Sequence, residues 1–584
     1  MKHPSSILLF AFLPTLLSAQ DPNLVPSAVR DRIIQEGKQN SQVAKHLDEL
    51  TNGIGPRLTG SPQAIRAAYW AKDKFQSFGI ENAHVEKWSD WKVGFERGPW
   101  SGEITSPKSA AQNLHFVTRA WSAGTKGRQE GPVLLLPKTL EEAKARPDLY
   151  KGAWILGRLG GRRRFSPKTR KLKDFLKTQG VLGFIAPSRN QLLITSGNFR
   201  ISWEKRPTLP EVTLRVDEFN KLKDLVQKGE KPRVLFDIRN HFIQGPIPNF
   251  NVVADIVGTE KPDEYVIVGG HLDSWDGATG TTDNGTGTAT TLEAARILMA
   301  SGVRPKRSIR FMLWTGEEQG LMGSRAYVKK HRSDGLLDRV SAVLVHDGGT
   351  NYCAGLQATP SQLPILRKAL SGIDKVDPQY EFEVSPLRFF VGGSDHASFV
   401  SAKVPGFFWL QKGRANYTHT HHTQYDTYDA AIDPYQRQSA TVIALSALAI
   451  ANLDKLLPRT SRAEIARLTG GNRRRRFRLG IEFAEGVLVS RVQKGSPAEA
   501  SGIKKGDLFL RIGKNKVEEP RDIMLGIFRA FQKGAKEVSL FVRRKGKETQ
   551  LKLSLNFPRR RTRRPPTPKK RKMEPTRKPN KEPQ

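Results

Sequence analysis

The chain has 584 residues, which is too many for one ordinary hydrophobic core and predicts two to four domains. It has a single cysteine, Cys353, so a fold held together by internal disulfides is excluded. The formal net charge is +39, with 96 Lys and Arg against 57 Asp and Glu, which favours an anionic surface as a partner. Beyond the first twenty residues no apolar run is long enough to span a bilayer, so we expect no transmembrane segment and a soluble mature protein.

Residues 1–20, MKHPSSILLFAFLPTLLSAQ, have the order of a secretory signal peptide. Two basic residues precede an apolar run over residues 7–17, and Ser18 and Ala19 are small residues suited to cleavage. The apolar run is too short for a spanning helix. We therefore expect a secreted or periplasmic protein, with an uncleaved membrane anchor as the alternative.

Two different compositions follow the signal peptide. Residues 21–110 predict the N-terminal part of a larger domain: segments with apolar residues at helical spacing come first, and VEKWSDWKVGFERG then predicts an extended stretch. Residues 111–244 predict an inserted β-rich domain, because short apolar strands such as GPVLLLP, GAWILGRL and VLGFIAP alternate with turns and one clear helix, KTRKLKDFLKTQG. The simplest role for such an insert is a lid or a packing module.

Residues 245–457 alternate between strands and helices. The segments DEYVIVGG, RSIRFMLWTG, SAVLVHD and VPGFFWL are continuous apolar strands, and helical segments such as TATTLEAARILMASG lie between them. This pattern predicts an α/β fold in which a mostly parallel mixed sheet is sandwiched by helices. In such sheets, ligands bind beyond the carboxyl ends of the strands.

Three further segments complete the chain. Residues 458–476 predict a linker, and residues 477–557 predict a small β-rich domain. Residues 558–584 are almost entirely basic residues and proline without apolar periodicity, so we expect a disordered basic tail. The tail is a solubilising segment or, as we favour, binds an anionic surface such as a membrane, a cell-wall polymer or nucleic acid.

Ionisable side chains recur where the predicted strands of the α/β domain end. They should converge, because parallel strands present their carboxyl ends at one edge of a sheet. Unpaired, so much negative charge would destabilise the fold, whereas one or two dications would neutralise it. Imidazole and carboxylate without thiolate suit zinc, and an open coordination position would make the site catalytic. The side chains are His271, Asp273, Glu317, Glu318, His346, Asp347, Asp395, His396, His419, His421, His422 and Asp426.

The segments GGHLDSWD…TTDNGTGTATTLEAARIL, RFMLWTGEEQGLMGSRAY and HHTQYDT together resemble the co-catalytic di-zinc exopeptidases, which include aminopeptidases and carboxypeptidases. The resemblance covers about residues 30–457, and the insert loosely resembles the protease-associated domain of exopeptidases. It implies the zinc exopeptidase fold and two Zn²⁺ per chain. The metal ligands that it implies are His271 and Asp347 for the first metal, Glu318 and His422 for the second, and Asp283 as the bridge between them.

The resemblance also implies roles for two further carboxylates. Asp273 would orient His271, because a metal-bound imidazole usually donates its other N–H to a carboxylate. Two metals about 3.5–4 Å apart would hold a hydroxide and polarise the scissile carbonyl. Glu317 would be the general base that takes the proton of the attacking water and later passes it to the leaving amine.

Four other residues are candidates for the substrate pocket. His421 lies beside His422 and competes with it as a ligand, but His422 heads the motif HTQYDT with the spacing of the family. The segment GGSDHASF resembles the substrate-pocket segment of the family, which makes Ser394, Asp395 and His396 candidates. The alternative for His396 is a hydrogen-bonded loop histidine.

Residues 477–517 resemble a PDZ domain of the bacterial protease type. Leu479, Gly480 and Ile481 would form the loop whose backbone N–H groups face a peptide terminus. The stretch SPAEASG predicts a short helix that Ser496 caps and Gly502 follows. We therefore expect a peptide or protein partner here, with a folded spacer as the alternative.

These observations predict an exported di-zinc metalloexopeptidase that hydrolyses the terminal peptide bond of short peptides or dipeptides through a metal-bound hydroxide. The resemblance favours carboxypeptidase or dipeptidase action, and aminopeptidase specificity stays open. A non-catalytic peptide-binding scaffold is the alternative from another class. It is disfavoured because all the expected ligands and the base are present.

Overall fold

The structure, a computed structural model, describes residues 24–158, 167–387, 392–461, 464, 479–484, 486–513, 515–517, 522–523, 526–527, 530 and 535–555. The predicted signal peptide, the predicted basic tail and most of the predicted linker lie outside these residues. The chain divides into two compact units, Met1–Asn472 and Arg473–Gln584. Within the described ranges, no helix combines the length and the apolar character needed to cross a membrane.

Helices alternate with strands along the first unit, as the sequence pattern predicts. The third helix shows why one begins where it does: Ser61 accepts a hydrogen bond from the Ala64 N–H at its N-terminus, and Pro62 occupies the first turn. The helices are α1 Ser27–Gln39, α2 Val43–Asp48, α3 Pro62–Ser77, α4 Leu140–Ala145, α5 Pro167–Thr178, α6 Val216–Gln227, α7 Thr286–Ala300, α8 Met322–Lys330, α9 Leu363–Ala369, α10 His396–Ser401, α11 Tyr417–Thr420 and α12 Asp433–Ala451.

The strands of the first unit form one large mixed sheet and one small sheet. The large sheet has the order β14-β11-β9-β10-β8-β4-β5-β6-β7-β3, with β1 paired to β8 and β2 paired to β1. The small sheet has the order β13-β12-β15. The strands are β1 His84–Ser106, β2 Gln112–Asn113, β3 Phe116–Thr118, β4 Gln129–Leu135, β5 Trp154–Leu156, β6 Gly183–Pro187, β7 Glu211–Leu214, β8 Arg233–Ile256, β9 Lys261–His271, β10 Arg307–Trp314, β11 Val340–Val345, β12 Tyr352–Ala358, β13 Glu383–Pro386, β14 Gly406–Phe408 and β15 Leu410–Lys412.

The centre of the large sheet is buried on both faces. Strands β14, β11, β9 and β10 are parallel to one another, and β8 is antiparallel to β10. On β9, Val266 and Val268 face the core formed with α3, α7 and α12, whereas Ile267 faces the core formed with α8 and α10. Burial on both faces explains the continuous apolar strands in the sequence. The predicted α/β fold, a mostly parallel sheet sandwiched by helices, is confirmed.

The insert predicted over residues 111–244 contains β2 to β7, α4 to α6 and the first half of β8. It has a core of its own, in which Trp154 packs edge-on against Phe236 with ring centroids 4.7 Å apart. Strand β8 runs unbroken through residue 244 and pairs with β1 along most of its length. The sheet of the insert is therefore continuous with the sheet of the α/β domain.

The second unit is a small β-rich fold. Its strands are β16 Ile481–Phe483, β17 Val489–Val492, β18 Leu508–Ile512, β19 Asn515–Lys516, β20 Glu537–Arg544 and β21 Lys547–Ser554, and its described helix is α13 Pro497–Ala500. Ser496 caps α13 by accepting from the Glu499 N–H, and Gly502 follows it with a φ of 78°, as predicted. Leu479 is buried in the core of the unit, and Gly480, with a φ of 81°, accepts a hydrogen bond from the Gln493 N–H.

Candidate metal centre

Three neighbouring strands deliver ionisable side chains to one edge of the large sheet. His271 is the last residue of β9, Glu317 and Glu318 follow the end of β10, and Asp347 follows the end of β11. These strands are adjacent and parallel, in the order β11-β9-β10. The predicted convergence at the carboxyl edge therefore occurs for these residues.

Two further side chains reach the same place from connecting segments. Asp283 lies in the segment Thr281–Gly285 directly before α7, where its φ of −131° and ψ of 87° are not helical, and its peptide bond to Asn284 is cis. His422 lies just after α11 rather than after a strand. The carboxylate of Asp426 accepts the backbone N–H groups of Thr282 and Asp283 at 2.5 and 3.2 Å, which fixes the turn that carries Asp283.

The carboxylate of Asp283 lies between two histidines. Its Oδ1 is 3.3 Å from Nε2 of His271, and its Oδ2 is 3.1 Å from Nε2 of His422. Each histidine has a second carboxylate beside the same nitrogen: Asp347 is 3.6 Å from His271, and Glu318 is 2.9 Å from His422. Two groups of three donors therefore share one residue, Asp283.

Three donor atoms of this cluster have no hydrogen-bond partner among the described residues. His271 Nε2, Asp283 Oδ2 and Glu318 Oε1 are buried without a hydrogen-bond partner. Buried polar atoms are normally hydrogen-bonded, so a group of orphaned atoms that face one another indicates a missing ligand. Nitrogen and carboxylate donors in this arrangement fit zinc. Two other combinations of these side chains also lie close enough to hold an ion: Asp283 with His421 and His422, in which His421 replaces Glu318, and His271 with Asp283 and Glu318, in which Glu318 replaces Asp347.

The electrostatics of the cluster also favour added positive charge. Burial and the neighbouring Asp283 raise the pKa of Glu318 to about 8. Burial alone would lower the pKa of His422, but contacts with Asp283 and Glu318 raise it to about 11. Burial raises the pKa of Asp395 to about 7. Without a metal, the site compensates its crowded carboxylates by binding protons, whereas a dication would supply the same charge without them.

Comparison with known proteins agrees with this geometry. Residues 251–448 match the model of peptidase family M28, and residues 467–555 match that of the PDZ domain. The chain contains an M28 peptidase domain. It is a zinc-dependent exopeptidase with a PDZ domain C-terminal to the peptidase domain.

Several known proteins align with most of this chain. Carboxypeptidase Q of Rattus norvegicus is 27% identical over 434 residues, which cover 73% of this chain and 88% of the rat protein. Carboxypeptidase Q of Homo sapiens is 27% identical over 435 residues, with the same coverage. The crystal structure of a peptidase M28 precursor from Shewanella amazonensis has the same fold, with a TM-score of 0.54 and 24% identity over 74% of this chain and 98% of its own.

Asp273 contacts Thr59, the backbone of Glu317 and the ring of His271. Its carboxylate accepts from the Thr59 hydroxyl at 2.7 Å and from the Glu317 N–H at 3.3 Å. The ring Nδ1 of His271 lies 2.9 Å from the Asp273 backbone carbonyl and 3.5 Å from its carboxylate. Both acceptors belong to the residue that the sequence assigns to orienting His271, and the carbonyl is the nearer of the two.

Glu317 is half-buried next to the proposed ligand Glu318. Burial raises its pKa well above the usual range for a carboxyl group. The negative charges of Asp347, Glu318 and Asp395 raise it further, and His271 opposes them. The pKa of Glu317 therefore depends directly on the charge at the neighbouring donor residues.

The structure places the candidate pocket residues at different depths. Ser394, Asp395 and His396 are buried at the start of α10, and the ring of His396 packs on Phe408 with centroids 5.5 Å apart. His421 is half exposed and lies 3.7 Å from Asp283 through its Nε2. His421 is therefore the exposed member of this set and faces Asp283, whereas the other three are buried.

One buried residue of the M28 site has no motif in the sequence. Arg57 is fully buried and donates to the backbone carbonyls of Gly55, Leu272, Thr279 and Gly280 at 2.7–3.0 Å. Burial lowers its pKa to about 10, so it stays charged at neutral pH. Arg57 therefore holds both ends of the loop between His271 and Asp283. This role of Arg57 is visible only in the folded chain. The main-chain oxygens that accept its hydrogen bonds lie more than 200 residues away or in its own turn.

We predict that Arg57→Lys lowers the free energy of unfolding by about 2–4 kcal/mol, because an ammonium group cannot reach four separate carbonyls and leaves buried acceptors unsatisfied. Chemical denaturation monitored by tryptophan fluorescence measures the change. Arg66→Lys is the matched control: Arg66 is exposed and makes one long hydrogen bond of 3.4 Å, so its change should stay within about 0.5 kcal/mol. Equal effects of the two substitutions would contradict the role assigned to Arg57.

We also predict that removal of zinc costs more stability at pH 8 than at pH 6.5. The raised pKa values of Glu318 and Asp395, about 8 and about 7, mean that the metal-free folded protein holds protons that the unfolded chain has released, so its stability falls as pH rises through this window. The raised pKa of His422 acts in the same direction above pH 6.5. Thermal unfolding of zinc-loaded and chelator-treated samples, with a mock-dialysed control, should show a difference in Tm that widens with pH; a constant or narrowing difference would refute the electrostatic account.

Proposed function

We propose that the M28 domain binds two zinc ions and hydrolyses the terminal peptide bond of short peptides or dipeptides. The observation that carries this proposal is the position of Asp283, whose two oxygens face two different histidines at 3.3 and 3.1 Å. A single ion would need one group of donors. Two groups of donors that share Asp283 would hold a pair of ions.

In this proposal His271, Asp283 and Asp347 would hold the first zinc, and His422, Asp283 and Glu318 would hold the second. The ions would supply Lewis acidity to the scissile carbonyl and to an adjacent water. Asp273 keeps His271 in place from the side opposite the metal, and its carboxylate also receives the N–H of Glu317. The ligands and the base are thereby fixed to one another before substrate arrives.

Glu317 is the general base of the proposed reaction. Its carboxylate takes a proton from the attacking water as the oxygen bonds to the carbonyl carbon of the peptide. Glu317 then returns this proton to the leaving amine as the C–N bond breaks, so one water and one peptide bond become one carboxyl and one amine. The raised pKa of Glu317 makes it a competent proton acceptor once neighbouring positive charge keeps it ionised at neutral pH.

We propose carboxypeptidase or dipeptidase specificity. The support is the similarity to proteins named carboxypeptidase Q, which spans 73% of this chain and 88% of the rat protein. Ser394, Asp395, His396 and His421 are proposed as residues of the substrate pocket, with His421 as the exposed member that meets substrate directly.

Three proposals concern the rest of the chain. We propose that Leu479, Gly480 and Ile481 of the PDZ domain receive an extended peptide or protein terminus, which the PDZ match supports. We propose that residues 1–20 direct export, so that the enzyme is secreted or periplasmic. We propose that the basic residues 558–584 bind an anionic surface.

We predict that Glu317→Gln lowers kcat by at least about 100-fold while two zinc ions stay bound, because the amide cannot accept the proton of water but leaves the ligands unchanged. Turnover is measured on a matched panel of N-blocked and C-blocked dipeptides, and zinc is measured by elemental analysis of the same samples. The panel also reports which terminus must be free.

Glu383→Gln is the matched control for this experiment, since Glu383 is an exposed glutamate on β13 and its replacement should change neither turnover nor zinc content. A Glu317→Gln enzyme with full turnover would refute Glu317 as the base. Peptide binding without turnover in the wild-type protein loaded with zinc would instead support the non-catalytic scaffold.

A further inference from the structure

A segment of the insert reaches the metal centre of the M28 domain. We name residues 188–197 the clamp segment; it connects β6 to the rest of the insert. Its Thr195 is buried and lines the same small cavity as Trp275, Asp283, Glu318 and His422. The insert therefore supplies a side chain within the site, although Thr195 lies 227 residues before His422 in the chain.

Thr195 makes two hydrogen bonds to one atom of the site. Its backbone N–H donates to the carbonyl oxygen of His422 at 2.8 Å, and its hydroxyl donates to the same oxygen at 3.2 Å. Neither bond involves the imidazole ring. Thr195 therefore acts on the backbone of His422 and leaves the ring free to face Asp283 and Glu318.

The backbone of His422 needs such support. Its φ is 58°, the left-handed region that residues with a Cβ rarely adopt. The neighbouring residues satisfy their own groups locally: the His421 N–H donates to Tyr417, and the Thr423 N–H donates to Thr420. The His422 carbonyl turns away from this local network, and within the described chain its hydrogen bonds come from Thr195.

Thr195 also packs against the loop between His271 and Asp283. A Cβ added to Gly277, in the loop between His271 and Asp283, would lie 1.9 Å from the Thr195 methyl carbon and 3.2 Å from its Cβ. Gly277 is thus the residue that lets the clamp segment approach. Thr195 fills the space between the loop that carries Asp283 and the loop that carries His422.

The clamp segment is anchored at both of its ends. Ser188 donates its N–H to Leu214 of β7, and the Ser196 carbonyl accepts from the Ala120 N–H at 2.9 Å. Between these anchors, the Gln424 side chain accepts from the Leu193 N–H at 2.8 Å. The position of Thr195 is therefore set by the sheet of the insert, and the position of His422 follows from it.

We propose that Thr195 is a positioning residue for the second-metal ligand His422, so that the insert completes the metal centre instead of only covering it. This inference rests on the proposed two-zinc function. Threonine suits the position because its hydroxyl is the second donor to His422 and its methyl group fills the gap beside Gly277.

Two substitutions test the inference, one in the residue that Thr195 packs against and one in Thr195 itself. Gly277→Ala pushes Thr195 away through the 1.9 Å contact with its methyl carbon, and Thr195→Val keeps the shape but removes the hydroxyl donor. We expect Gly277→Ala to weaken binding of the second zinc by about 10–100-fold while the first zinc stays bound, since residues that orient ligands typically contribute that much to metal affinity. Thr195→Val should weaken it less, because the backbone N–H remains.

The double variant Gly277→Ala with Thr195→Ser provides the rescue. Serine lacks the methyl carbon that alanine would contact but keeps the hydroxyl, so the second zinc should return toward wild-type affinity. Thr208→Val, at an exposed threonine of the same insert, is the control and should leave zinc binding unchanged. Zinc affinity and stoichiometry are measured by titration of the metal-free full-length protein against a chromophoric chelator, with His422→Ala as the one-zinc reference and circular dichroism to check folding.

The outcomes separate the inference from the proposal beneath it. A wild-type protein that binds fewer than two zinc ions would refute the proposed function. If wild type binds two and Gly277→Ala also binds two with unchanged affinity, the positioning role of Thr195 is wrong. Loss of zinc in Gly277→Ala that serine at 195 does not restore would also overturn the inference, because the cause would then lie elsewhere than in the displacement of Thr195.

Discussion

The rest of the site depends on one carboxylate between two imidazoles. Asp283 presents one oxygen to His271 and the other to His422, and each histidine has a further carboxylate beside it. A fold tolerates this many buried carboxylates only when positive charge compensates them. Burial first, and neighbouring carboxylates second, raise the pKa of Glu318 to about 8 and that of Asp395 to about 7. Binding of cations therefore explains both the arrangement and the burial.

The surrounding structure holds this cluster through the backbone. Arg57 binds three carbonyls of the loop from His271 to Asp283, the Asp426 carboxylate receives the N–H of Asp283, and Thr195 donates to the carbonyl of His422. Each of these contacts leaves the metal-facing atoms free. Rigid placement of ligands before binding lowers the ordering cost at the moment of binding and catalysis. The insert takes part in this because its sheet is continuous with that of the M28 domain through β8.

The sequence predicts the parts of the site that depend on local pattern. His271, Glu318 and Asp347 follow continuous apolar strands, and parallel strands bring their carboxyl ends to one edge. Arg57 and Thr195 were not predictable, because their contacts join backbone atoms far apart in the chain and leave no spacing in the sequence. The pattern also does not predict the small sheet of β12, β13 and β15, in which β13 and β15 span only four and three residues. The sequence also places His422 at a strand end, after PGFFWL, but in the structure it follows the short helix α11, and only the family motif singles it out among the neighbouring histidines.

Anomalous X-ray scattering at the zinc absorption edge, from crystals of the zinc-loaded protein, tests the central claim most directly. Our account predicts two peaks on opposite sides of the Asp283 carboxylate, one beside His271 and one beside His422, separated by about 3.5–4 Å. A single peak, or two peaks that do not share Asp283, would contradict it.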